Sequence, residues 1–101
     1  MEDRFAEVID RQLDLFEQQD RAFLRQLDEA ERAYDEADRE DAEEVYSRFQ
    51  ELVEHGTEAL AEMRDSYAST LESDDADAYT AEFNQAVIDR MPRFGLEIED
   101  V

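Results

Sequence analysis

The chain contains no cysteine, no lysine and no tryptophan, and only one proline, two glycines and one histidine in 101 residues. Without cysteine there is no disulfide, no thiolate nucleophile and no thiolate-ligated zinc. So little glycine and proline argues against a β protein, whose turns draw on both, and for a chain that is helical nearly throughout. No run of about 18 apolar residues exists, so no segment is expected to span a bilayer. The opening Met1-Glu2-Asp3-Arg4 lacks the basic-then-apolar layout of a secretory signal, which makes a cytoplasmic location the expectation. No basic stripe is available to meet phosphates, which excludes a nucleic-acid partner.

What the chain does have is acid. Thirty-one carboxylates face ten bases, all of them arginine, for a formal net charge of −21. The hydrophobic fraction, 42%, still suffices for a core, and one domain fits the length. Acid-rich, lysine-free composition resembles that of small helical proteins from extremely halophilic archaea. The physics agrees, because at about 1 M salt the Debye length falls to about 3 Å and screens repulsion between surface carboxylates. The acids are spread along the chain rather than blocked together, which disfavours mimicry of nucleic acid as their purpose.

Apolar residues recur at heptad spacing from Ala6 to Ala37. Ile9, Phe16, Phe23, Ala30 and Ala37 form one seam position, and Ala6, Leu13, Leu27 and Tyr34 the other, with Asp20 as the polar exception. This coiled-coil-like stripe predicts a helix from about Asp3, as N-cap, to Ala37. Its outer face carries Glu7–Arg11, Glu17–Arg21 and Asp28–Arg32 at the four-residue spacing of helical ion pairs. The stripe then loses phase, which predicts a tight turn at Asp38–Arg39, with Asp38 capping a second helix over about Arg39–Leu71. Ser73-Asp74-Asp75 reads as a second turn and N-cap, and a third helix follows over about Asp75–Met91, ended by Pro92. Beyond it Phe94, Leu96 and Ile98 alternate with polar residues or glycine, a strand-like period. The expectation is therefore all-α: a long antiparallel hairpin and a shorter third helix making a three-helix bundle over 1–91, with an extended tail over 92–101. One short helix cannot cover the whole hairpin. Apolar surface near Phe5, Val8 and Leu15, or near Tyr34 and Tyr46, should stay open and favour a homodimer.

No catalytic motif emerges. Glu51/Glu54 and Glu62/Asp65 match the letters of MazG-type pyrophosphohydrolases, but about nine acid pairs at that spacing are expected by chance from 31 acids in 101 residues, and these sit on one helix. The only histidine, His55, has Leu52 three positions before it, so the Glu-x-x-His pattern of di-iron bundles fails. The order of helices is similar to that of all-helical chorismate mutases, but the basic residues their pocket needs are missing. Two arginines stand out, because Arg64 and Arg90 have no acid three or four residues away and must find partners on other helices. If the two turns centre near Asp38 and Ser73, Asp20, Gly56 with His55, and Arg90 come level, and Arg64 comes level with Glu82. A polar layer at Asp20/His55/Gly56/Arg90 is one candidate site, and Arg64–Glu82 a candidate interhelical pair. These residues point first to a non-enzymatic interaction or scaffold module, acting through a protein partner or self-association and needing no cofactor or metal. The alternative is a regulator or enzyme that binds a small metabolite or anion at the polar layer.

Overall fold

The computed structural model describes residues 4–101, which leaves the N-cap expected at Asp3 outside the described residues. The chain is all-helical among these residues, with α1 (Ala6–Gln19), α2 (Arg21–Glu36), α3 (Ala42–Ala68), α4 (Ser73–Arg90) and the single turn α5 (Pro92–Gly95), closed by a 3₁₀ turn over Ile98–Asp100. No helix among them is long and apolar enough to cross a membrane.

Two departures separate this from the expected three-helix bundle. First, the long opening helix is two helices. Asp20, the polar residue of the heptad seam, takes φ −106°, ψ 27° and ends α1, while its carbonyl starts α2 by accepting from the Leu24 amide. A carboxylate at a seam position is not buried fully there. It is half-exposed, and the backbone bends out of helical geometry at that residue. Second, the tail is helical and packed, not extended. Phe94 and Ile98, four residues apart, are both buried, while Leu96 between them is 89% exposed. The alternation that suggests a strand is equally the spacing of a helical turn, and burial selects the latter.

The break across position 38 is present. Ala37 is extended, and the Asp38 carbonyl receives the amides of Asp41 and Ala42. The expected Asp38 cap is not formed: its carbonyl closes the turn before α3, and Asp41 holds the N-cap position, with its carbonyl accepting the Val45 amide and no side-chain cap bond. Likewise Ser73, Asp74 and Asp75 lie inside the first turn of α4, with Glu72 at the N-cap position. Their acids still favour the helix by facing its positive end.

The core runs through Ile9, Leu13, Phe16 and Leu27 of α1 and α2, Val53, Leu60 and Ala61 of α3, Tyr79, Phe83 and Val87 of α4, and Met91, Phe94 and Ile98 beyond. The tail packs against both α3 and α4, so α3 is covered by α2 on one side and by α4 and the tail on the other, while α1 lies against α2 and α4. Coverage stops short of the hairpin end. There Tyr34 (40% exposed) and Tyr46 (42%) touch each other at 5.2 Å between ring centroids, with Phe49 stacked beneath Tyr34. The molecule is accordingly elongated, 50 × 24 × 24 Å.

Candidate functional site

The four residues of the expected polar layer do not converge. Asp20 sits at the α1–α2 junction. His55 is exposed on α3, its ring tilted 5.2 Å from that of Phe23. Arg90 turns to α1, where it binds the carboxylates of Asp14 and Glu17. The Asp14 hydrogen bond pushes its pKa above the ordinary arginine value despite partial burial. Gly56 faces the tail: a Cβ added to it would stand 2.4 Å from Phe94 Cε1 and 3.1 Å from Phe23 Cε2. The missing side chain is thus a notch for the Phe94 ring, and the glycine's helix cost of about 1 kcal/mol is offset by that close approach.

The expected register is off by about half a helical turn. Arg64 meets Asn84 rather than Glu82, with Nη1 donating to Asn84 Oδ1 at 2.9 Å, while Glu82 accepts the Phe5 amide at 3.1 Å. Arg64 is 4% exposed. It further donates to the main-chain oxygens of Ile98 (2.8 Å) and Val101 and to Asp65 Oδ1 (2.8 Å). Its charge is met largely by carbonyls of the tail, a use that a sequence search for carboxylate partners does not find. The one available hint is the absence of an acid at helical spacing from Arg64.

Arg93 follows the same pattern, reaching Asp28 (2.7 Å) and Glu31 (3.4 Å) on α2. Glu17 and Asp28, expected to pair with Arg21 and Arg32 along their own helices, bind Arg90 and Arg93 from α4 and the tail instead. These contacts are solvent-accessible, so each contributes about 0–1 kcal/mol and mainly fixes where α4 and the tail lie.

Tyr79 is fully buried, its hydroxyl donating to Gln12 Oε1 at 2.7 Å beneath the rings of Phe5 and Tyr67. Burial pushes its pKa from 10.0 up to about 12, although the Gln12 contact lowers it somewhat. The folded state thus holds its proton more tightly than the unfolded chain. Its contribution to stability is complete below pH 10.0 and is lost as the pH rises from there through about 12. Urea unfolding followed across that window should show falling stability, and Tyr79→Phe should flatten the fall.

No group of three or more metal-ligating side chains occurs among the described residues. Nor does any buried side-chain nitrogen or oxygen there lack a hydrogen-bond partner. The concavities are open clefts. One, of about 410 Å³, lies between α2 and α3 and is lined by Phe23, Gln26, Arg48, Glu51, Leu52 and His55. A second adjoins it and shares Gln26 and Arg48, adding Glu29, Ala30, Ala33 and Val45. Another, between α1 and α4, has a floor of Ala6, Ile9, Ala81 and Ala86 under Asp10, Glu82, Gln85 and Asp89. None of these three combines enclosure with converging polar groups, and the arginines of a further hollow of about 280 Å³, Arg90 and Arg93, are already paired with Asp14, Glu17 and Asp28.

No family model, curated protein or solved structure matches the chain.

Proposed function

We propose that this protein is a non-enzymatic interaction or scaffold module working in a salt-rich cytoplasm, of the kind that halophilic archaea maintain. The observation that carries the reading is the uncovered end of the α2–α3 hairpin. It holds two exposed tyrosines and half-buried Val45, Phe49 and Leu52, with neither α4 nor the tail over it. The polar groups that a catalytic reading would recruit serve the fold instead: Arg64 and Arg93 hold the tail, and Arg90 ties α4 to α1.

A photoreactive residue in place of Tyr46 should yield a discrete protein adduct in cells, and one in place of exposed Glu62 should not. A thermal-shift screen with nucleotides, phosphates and dicarboxylates is expected to leave the melting temperature unmoved. A clear rise with any of them, and no adduct at position 46, would transfer the protein to the metabolite-binding class.

The salt-rich setting has its own test. At about 0.1 M salt the Debye length is about 10 Å and repulsion among the surface acids acts across neighbouring helices, whereas at about 1 M it does not. The melting temperature should therefore climb steadily over that range. A flat or falling curve contradicts adaptation to brine.

A further inference from the structure

We infer that the closed end of the α2–α3 hairpin binds an arginine-bearing segment of a basic partner protein, through the rings of Tyr34 and Tyr46. The inference rests on the interaction-module reading and names the partner's chemistry.

The rings meet because the chain turns between them. Tyr34 lies in the last turn of α2 and Tyr46 in the second turn of α3. Their centroids are 5.2 Å apart, and Phe49 lies parallel to Tyr34, with 1° between the ring planes, at 6.5 Å. Gln50 donates to the Tyr46 hydroxyl from the same side of α3. The face of such a ring carries negative potential and attracts a cation placed over it.

Size and charge together select the occupant. At 40% and 42% exposure the two tyrosines offer about 200 Å² between them. A second copy needs about 800 Å² per side for a standard interface, so this patch takes side chains rather than a domain face. From Tyr34 to Tyr46 the chain carries seven acids, all exposed, against Arg39 alone. That is about twice the mean density of net negative charge in the chain. None of the seven is in an ion pair among the described residues.

The nearby bases do not cancel this. Arg32 and Arg48 stand two residues from Tyr34 and Tyr46, a helical spacing that turns them away from the rings. Arg48 lines the neighbouring cleft with Gln26 and Glu29 instead. Glu36 and Glu44 share that spacing, whereas Glu43, three before Tyr46, shares its side of α3. Asp38, Glu40 and Asp41 belong to the turn between the two helices. Two such ends would repel each other, whereas a cationic side chain is drawn both by the rings and by the carboxylates around them.

Arginine suits the place better than lysine. Its planar guanidinium stacks on a ring while its edge donates to a carboxylate, and it is the more weakly hydrated cation. Stacking acts at contact distance. It therefore persists at about 1 M salt, where the Debye length is about 3 Å and attraction between more distant charges is screened.

Fluorescence anisotropy of the full chain with a labelled arginine–serine repeat peptide tests this. Affinity should fall between about 0.1 M and about 1 M KCl, with binding still measurable at the higher salt. There a lysine–serine peptide of equal length should bind at least about threefold more weakly. Tyr34→Leu with Tyr46→Leu keeps apolar bulk but removes the rings, and should weaken binding about tenfold. Tyr34→Phe with Tyr46→Phe keeps the rings and should bind within about twofold of wild type. Both positions are exposed, so either pair should retain wild-type circular dichroism. Asp38→Asn, Glu40→Gln and Asp41→Asn together should weaken binding at about 1 M KCl by about threefold or more. Glu54→Gln, Glu58→Gln and Glu62→Gln, exposed farther along α3, should not. No binding at high salt, equal binding of the lysine peptide, full binding by the leucine pair, or equal loss from the two acid sets overturns the inference. An adduct at Tyr46 with a second copy of this chain would also overturn it while leaving the interaction-module reading intact. A stabilising metabolite without any adduct would remove the reading itself.

Discussion

Phe94→Ala should lower the unfolding free energy by about 3–5 kcal/mol, the range for truncating a buried phenylalanine, and Gly56→Ala should change sign in its presence. The ring is 1% exposed and stands at 90° to Phe16 with centroids 6.1 Å apart, so it cannot swing aside cheaply. Against the intact ring, alanine at position 56 gains about 1 kcal/mol of helix propensity. It also places a carbon 2.4 Å and 2.8 Å from two ring atoms. Overpacking of that kind costs about 1–3 kcal/mol, so the single variant should be destabilised by about 1 kcal/mol. Once Phe94 is alanine the clash is gone and the propensity gain remains, so the same substitution should stabilise by about 1 kcal/mol. Urea unfolding of the four proteins at constant salt gives the coupling directly, about 2 kcal/mol if the ring fills the notch. Stabilisation by Gly56→Ala in the wild-type background would mean that the tail does not sit there.

That notch shows both the reach and the limit of reading the chain. Spacing alone places Ile9, Phe16 and Leu27 in the core and locates the break across position 38, because a stripe that loses phase must end a helix. It also marks Asp20 and Gly56 as anomalies, which both are, for different reasons. Asp20 is where the first helix divides, since a seam carboxylate without a buried partner prefers a bent backbone and solvent. Gly56 makes room for a residue 38 positions later in the chain, and nothing local to it indicates which. The register between helices is the part least legible. A turn centre only one residue early is enough to pair Arg64 with Glu82 instead of Asn84, and the same three-rod layout brings Arg90 toward α3, when its partners are Asp14 and Glu17 on α1. The tail fails for a sharper reason: at ten residues, Phe94, Leu96 and Ile98 satisfy period two, while the pair Phe94 and Ile98 also satisfies a helical turn. Only tertiary burial, with Leu96 left outside, separates these.

Arg64→Met should release the tail before it unfolds the bundle. Methionine keeps most of the apolar stem but none of the donors, so the Asn84 oxygen and the main-chain oxygens of Ile98 and Val101 lose their charged partner. Each charge-assisted bond contributes about 1.5–3 kcal/mol, partly offset because a buried guanidinium no longer has to be desolvated. A net loss of about 2–3 kcal/mol is expected. Where the loss appears is the sharper test. Ordering residues 96–101 costs about 1–2 kcal/mol per residue in backbone entropy, and the burial of Ile98 with the Arg64 bonds is what opposes it in this segment. Taking away the arginine should therefore tip these residues into local opening, with α1, α3 and α4 still folded. Amide hydrogen exchange should show protection lost from about residue 97 onward and nearly unchanged at the α3–α4 core. Asp65→Ala should do little, because that carboxylate is 64% exposed and its bond to Arg64 is largely replaceable by water. Arg64→Lys should rescue only in part, since one ammonium cannot span the Asn84, Ile98 and Val101 oxygens that the planar fork reaches together. Uniform loss of protection across all helices in Arg64→Met would instead make this arginine a support of the whole core rather than the clasp of residues 96–101.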